Sequence, residues 1–330
     1  MTKQQRLTYI DTAKGLLILL MIWYHTPPAV ARYVEGCNPY MGGVISYCTR
    51  IWFECFFMPA FFIITGYCSS FSDDRKVFYI KMLKTIILPV SVISYIRCCI
   101  FDLSFNPLHL IGPYKPTGNW FIIALLIGRT IFYEVNKVFR KKQLWILTAL
   151  SVLAIIAMFF RDNNMIHNPF YWKQGLCAAM FIGIGNYLRK YEISNNTLAI
   201  SSGAYMILIS LINCFDLHRT VMVVTLSVDW YEFVQFSVLA ITGTSLVVLC
   251  AKYIKIKLIE YIGKFSLIMY LIQWAALVAL GKFFANIYDI TTISGCWYIA
   301  LTIYPLSILI CLIFVKCFDT KYGKYILGKF

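Results

Sequence analysis

Long apolar blocks alternate with short polar ones along the whole chain. Ten apolar blocks follow one another, at about residues 10–30, 46–70, 80–101, 119–138, 143–160, 170–188, 197–215, 230–250, 262–284 and 293–317. About 20 apolar residues in a helix cross the roughly 30 Å of a bilayer's hydrocarbon. The pattern therefore predicts an all-α fold, a polytopic membrane bundle of about ten transmembrane helices, with residues 1–330 as a single domain. The fifth block, ending near Phe160, is short. The first block follows a short basic start and leads into Pro27-Pro28, not a small-residue cleavage site, so it reads as the first span. The longest polar connections, 26–46 and 102–118, carry prolines and read as ordered turns or re-entrant pieces.

Charge orients this frame. With the N-terminus inside, the inner loops and span ends hold 20 basic residues and the outer ones seven. Lys14, Arg97 and Arg129 fall within spans. That bias puts both termini on the cytoplasmic side and predicts a multi-pass protein of the cell membrane. The net charge of +15 is thus accounted for by topology, and no nucleic-acid-binding motif accompanies it.

Composition agrees with a lipid setting. Of 330 residues, 60% are hydrophobic and 14% charged, and the mean hydropathy is +0.71; soluble domains carry about 25% charged residues. The 12 cysteines lie mostly inside apolar blocks, without a CxxC pair or Cys/His spacing for zinc, so no metal is expected. Buried cysteine usually packs as a small hydrophobe. Cys37 and Cys48 fall in the first outer loop, where they could pair.

Ionisable groups inside spans are costly and point to function. His25 follows Lys14 by eleven residues, which in a helix is about 20° past three turns, so the two share a face roughly 16 Å apart. Asp11 lies near the same face and is placed to pair with Lys14. His25 falls towards the outer half of the bilayer, where a neutral imidazole could take a proton from a hydroxyl or water; the plainer alternative is an interfacial histidine bonded to water. Lys14 could hold an anionic part of a donor or snorkel to the interface.

The second block contains Arg50 and Glu54, spaced to pair, and Pro59, which predicts a kink. Thr65-Gly66 offers a small patch for another helix. Phe56, Phe57, Phe61 and Phe62 read as packing. In the fourth block, Trp120 suits the aromatic belt. Arg129 lies deeper and needs an anion, either Glu54 or a ligand. Arg97 poses the same need nearer the outer side. Gln273 is polar in an apolar run, as helix-to-helix glue or as a site residue.

Four stretches together resemble acyltransferase family 3, particularly its compact branch of sugar O-acetyltransferases. They are Tyr9-Ile-Asp11-Thr-Ala-Lys14-Gly15 through His25, Phe57-Met-Pro59-Ala-Phe-Phe-Ile-Ile-Thr65-Gly66-Tyr67, Asn119-Trp120-Phe121 through Leu125, and Tyr261-Ile-Gly263-Lys-Phe-Ser266-Leu-Ile-Met-Tyr270. The first looks like the family's basic-residue-x10-His signature. The chain departs from the pattern at Lys14, where many members have arginine, at Phe57, where compact members often have histidine, and at Thr65, often serine. Gln273 stands where some relatives carry a later histidine. If those positions recognise the acceptor, the acceptor differs here.

The resemblance implies a ten-helix bundle with a central cavity and acetyl-coenzyme A, or a related acyl-coenzyme A, as cytoplasmic donor. The acceptor it implies is a hydroxyl of a surface glycan or its lipid-linked precursor. His25 would act as general base or as relay for the acyl group, with Lys14 and Arg129 orienting the donor and Asp11 beside Lys14. Lys81 and Lys84 would dock its phosphates. Glu54, Arg97, Asn119, Trp120 and Gln273 complete the candidate donor- or substrate-binding set. A transporter of a small anion or glycan precursor is the alternative, since Lys14, Arg97 and Arg129 would suit an anion path; against it, the two halves show no convincing repeat. A membrane scaffold without activity is a third reading.

Overall fold

The computed structural model describes residues 8–33, 52–71, 74–100, 120–139, 142–159, 171–191, 193–214, 229–288 and 291–326, and among them all regular structure is helical. The helices are α1 (Thr8–Tyr33), α2 (Phe57–Cys68), α3 (Arg75–Ile100), α4 (Trp120–Val138), α5 (Gln143–Phe159) and α6 (Trp172–Leu188). There follow α7 (Asn195–Cys214), α8 (Trp230–Tyr253), α9 (Lys257–Lys264), α10 (Ser266–Phe284), α11 (Ile293–Phe318) and α12 (Lys321–Ile326). Five of them, α3, α7, α8, α10 and α11, are long and apolar enough to cross a membrane. Helices α2 and α5 are apolar but shorter.

Three local features depart from the sequence expectation. Helix α2 begins only at Phe57, after a turn at Glu54–Phe56. Pro59 therefore lies in its first turn, where the missing N–H has no helical acceptor to satisfy, and the expected kink has no cause. Helix α3 starts at Arg75, so Lys81 and Lys84 are exposed helical residues. Its turns widen to a π-helix over Leu83–Ile87, where the Leu88 N–H bonds the Leu83 carbonyl. Pro89 supplies the reason: it has no N–H to return to the Thr85 carbonyl four residues back. The ninth block is broken at Phe265 into the short α9 and the long α10.

The chain divides into two compact units. Unit one comprises residues 1–52, 81–105 and 250–330. Within it, α1 packs on α9, α10 and α11. Gly15 and Gly263 let α1 and α9 meet backbone to backbone: a Cβ at Gly263 would overlap the Asp11 carbonyl, and one at Gly15 the Ile259 carbonyl. Asp11 thus lies beside Gly263, and His25 beside Gln273, so α1 and α10 run parallel. Helix α11 runs the opposite way. Its Tyr304 donates to the Leu19 carbonyl (3.3 Å) and stands edge-on to Trp23 (5.1 Å), while Asp319 beyond its end accepts from Tyr261 of α9 (3.2 Å). Leu17, Ile18, Met21, Ile22, Met269 and Ile272 are buried in this unit.

Unit two comprises residues 53–80 and 106–249. Helix α6 is its hub, packed by α2, α4 and α5. Glycines again set the approach, since Cβ atoms at Gly66 and Gly185 would overlap the carbonyls of Ile182 and Ile63 on the facing helix. Gly128 of α4 packs on Ala178 and Ala179 of α6, and Phe132 lies near Gly183. Helices α2, α4 and α6 therefore run parallel. Helix α5 opposes α6, because Gln143 at its start bonds Asn186 (3.1 Å) while Leu150 reaches Gly183.

Candidate functional site

In unit one, α1 and α10 meet at His25. Its Nδ1 lies 3.4 Å from Nε2 of Gln273 on α10. Its ring stands edge-on to Trp274 (5.5 Å) and Tyr24 (5.2 Å). The imidazole is half-buried, and Gln273 is 3% exposed. The Gln273 Oε1 is buried and has no hydrogen-bond partner among the described residues. Two residues earlier on α10, the Leu271 carbonyl accepts from Nη1 of Arg97 on α3 (3.2 Å). Arg97 is half-buried and its Nε is shut from solvent without a partner among the described residues. His25 and Gln273, picked separately from the sequence, are thus brought together, while Arg97 meets the same helix at the Leu271 carbonyl, two residues and about 200° round from Gln273.

The lower part of α1 differs from expectation. Asp11 is 3% exposed. Lys14 is half-buried and has no hydrogen-bond or ion-pair partner among the described residues, so the anticipated Asp11–Lys14 pair is not made. A three-residue spacing puts two side chains on neighbouring rows without requiring them to touch; the Asp11 backbone carbonyl meets Gly263. Nearby, Tyr261 outside the spans donates to Asp319; its own burial and then that carboxylate raise its pKa above the usual phenol value, so it stays a donor.

In unit two, Arg129 donates through Nη1 to Ser69 Oγ (3.1 Å), and its guanidinium lies over the Phe71 ring (5.6 Å from the centroid). Arg189, just past α6, donates through Nη1 to the Ser69 carbonyl (2.9 Å). Glu54 is buried, but it precedes the start of α2 whereas Ser69 follows its end. Arg129 is thus not neutralised by Glu54, from which a 12-residue helix, about 18 Å long, separates its serine. Trp120 opens α4, half-buried and edge-on to Phe121 (6.0 Å). Asn119, Cys37, Cys48 and the Arg50 side of the Arg50–Glu54 pair lie outside the described residues.

Several polar groups escaped the sequence reading. Arg189 counts there only as a loop charge. Lys173 and Gln174 are 2% and 1% exposed at the start of α6, although a lysine at a span edge reads as an interface cation. They follow Tyr171, a buried residue with left-handed backbone (φ 54°). Such a conformation is uncommon in a bulky residue. Glu134 of α4 is held by Arg75 (2.6 Å) and Tyr79 (3.0 Å). Among the described residues, no three His, Cys, Asp or Glu side chains gather as a metal site.

Comparison with known proteins places the chain. A family model described as an acyltransferase domain matches residues 7–316, running through both units and nearly the whole length. No curated protein and no solved structure matches the chain. The match covers His25, Arg97, Arg129, Arg189 and Gln273, and with the apolar helices it makes this a membrane protein by family and by composition. The chain belongs to the acyltransferase 3 family.

Proposed function

We propose that this protein is an O-acyltransferase embedded in the cytoplasmic membrane, as one domain of ten spans with both termini inside. It would move an acetyl or other short acyl group from acyl-coenzyme A to a hydroxyl of a surface glycan or its lipid-linked precursor. The family membership supports acyl transfer, and the charge bias supports the orientation. The parallel course of α1 with α10, opposed by α11, and of α2, α4 and α6, opposed by α5, suits ten alternating crossings.

The observation that carries the reading is His25 beside a buried amide. In the proposed reaction, Nε2 of His25 takes the proton of the acceptor hydroxyl as that oxygen attacks the thioester carbonyl. The C–S bond then breaks, and the departing thiolate takes the proton from the imidazolium. An ester and the free thiol result. Lys14, Arg97 and Arg129 are cations suited to the donor's negative charge, Lys81 and Lys84 lie on an exposed helical face, and Glu54, Asn119 and Trp120 are proposed for the acceptor.

This role sets a requirement on Gln273. Its amide lies against Nδ1, so the proposed role has Nε2 facing the substrate. A free lone pair there requires the proton on Nδ1, and Nδ1–H requires an acceptor. Gln273 must then turn Oε1 towards His25 during turnover. Gln273→Met keeps the volume and removes the acceptor. Its kcat is expected to fall about tenfold with KM for acyl-coenzyme A unchanged. Thiol release in detergent, dependent on an added hydroxyl acceptor, measures both; an unchanged kcat would remove Gln273 from the reaction.

A further inference from the structure

As α8 ends, the chain interleaves lysines with apolar residues, running Lys252-Tyr253-Ile254-Lys255-Ile256-Lys257-Leu258 into α9. The proposed reaction does not use this stretch. Tyr253 is 69% exposed, and Ile256 and Leu258 are each 54% exposed. Lys255 and Lys257 between them are exposed as well. The other charges of the region are engaged elsewhere. Lys252 lies over the Tyr9 ring of α1 (5.7 Å from the centroid). Glu260 pairs with Lys264 one turn on (2.6 Å), and Asp319 accepts from Tyr261 (3.2 Å). Lys255 and Lys257 make no ion pair among the described residues, so no carboxylate there offsets them.

Position narrows the partner. Helix α8 is long and apolar enough to cross a membrane, and Tyr253 is its last residue. Lys255 and Lys257 follow by two and four residues, so at most about 14 Å of chain separates them from the end of the apolar helix. That keeps them in or beside the headgroup layer of a bilayer that α8 crosses. A soluble anion would gain from the lysines alone. A bilayer interface uses the whole stretch: the tyrosine and aliphatic side chains enter the acyl boundary, and the ammonium groups meet anionic headgroups. Tyr322, exposed three residues past Asp319, adds a second aromatic of the kind enriched at that level.

We infer that residues 253–258 form a docking surface for anionic phospholipid headgroups. The fold connects this surface to His25. Helix α9 meets α1 backbone to backbone at Gly15 and Gly263, and α10 runs on from α9 to Gln273. Headgroups held at 253–258 therefore brace α9 against α1 and stabilise unit one. That the leaflet is the cytoplasmic one rests on the proposed orientation; the surface itself needs neither that orientation nor turnover.

The test uses the full protein in micelles of an uncharged detergent at low salt. Thermal unfolding is followed as phosphatidylglycerol or phosphatidylcholine is added, because a lipid that binds the folded form raises the midpoint. Wild type should gain with phosphatidylglycerol and far less with phosphatidylcholine, and the gain should vanish at about 1 M salt. Lys255→Gln/Lys257→Gln should need about 30-fold more phosphatidylglycerol for half the effect. Ile256→Ser/Leu258→Ser keeps both charges and should need about tenfold more. Lys76→Gln/Lys142→Gln removes two exposed lysines of unit two and should respond as wild type. Without lipid the variants should unfold with wild type, since all these side chains are exposed; bound phosphatidylglycerol counted by native mass spectrometry gives the same ordering where a midpoint differs. An undiminished response in the Lys255/Lys257 variant, or an equal loss in the Lys76/Lys142 variant, would overturn the surface. An unchanged response in the serine variant would leave bare charge and contradict the apolar share. Adenosine 3′,5′-bisphosphate separates the soluble source of phosphate: if it displaces phosphatidylglycerol from wild type and its own shift is lost in the Lys255/Lys257 variant, the lysines serve a nucleotide and the lipid inference falls.

Discussion

His25→Ala should reduce acyl transfer by about 100-fold or more while leaving the protein folded. The size follows from the role: general base catalysis typically contributes 10²–10⁴-fold, and alanine removes the whole of it. The intact fold follows from the surroundings. The imidazole is half-buried, and the contacts that fix α1 lie elsewhere, at Gly15, at Gly263 and at the Tyr304–Leu19 bond. Loss of the ring contacts with Trp274 and Tyr24 should cost at most about 1–2 kcal/mol. The measurement is acceptor-dependent thiol release, alongside thermal unfolding in the same detergent. Equal activity in His25→Ala would end the assignment of the base. A collapse in thermal stability would mean that the histidine is chiefly structural.

Gly263→Leu should be the most damaging change to the fold of unit one. A side chain there meets the Asp11 carbonyl first, and the Gly15 nitrogen lies 2.9 Å from the position of the added Cβ. Both obstacles are backbone, which cannot rotate away as a side chain would. Overpacking typically costs about 1–3 kcal/mol, more where the neighbours are rigid, so α1 and α9 must part. Because this crossing sets the register of α1 against α10, activity should fall with stability. Gly203 of α7 provides the contrast, with no atom within 4 Å of an added Cβ. Gly203→Ala should be neutral or stabilise by up to about 1 kcal/mol. Thermal unfolding of the two variants side by side reads the difference; equal midpoints would show that the α1–α9 contact is not close in solution.

Much of the helical frame was legible because lipid imposes a simple rule, long apolar blocks between polar connections. Eight of the ten blocks coincide with one helix; 262–284 holds a helix and the end of its short predecessor, and 46–70 holds the 12-residue α2 after a turn. The break at Phe265 and the π turn before Pro89 were not legible from hydropathy, since neither interrupts the run of apolar residues. Individual site residues could be picked, because a charge in a span is conspicuous. Their partners could not. His25 and Gln273 are 248 residues apart and meet where Gly15 and Gly263 let α1 approach α9, just before α10. Helical spacing suggested Asp11 for Lys14, and need of an anion suggested Glu54 for Arg129; both guesses used sequence proximity or charge, whereas the fold puts Gly263 beside Asp11 and Ser69 beside Arg129. Arg189 looked like one more inner-loop charge because its partner is a backbone carbonyl, which no side-chain pattern reveals.

The central claim concerns transfer of an acyl group to a hydroxyl, and a sided assay tests it most directly. Purified protein is reconstituted into liposomes, oriented populations are separated, and radiolabelled acetyl-coenzyme A is supplied on the face proposed to bear the termini, with glycan acceptors on the other. Alkali-labile label should accumulate in the acceptor with wild-type protein and not with His25→Ala. Label that crosses the membrane without ever being esterified, or ester formed equally by both proteins, would contradict the account.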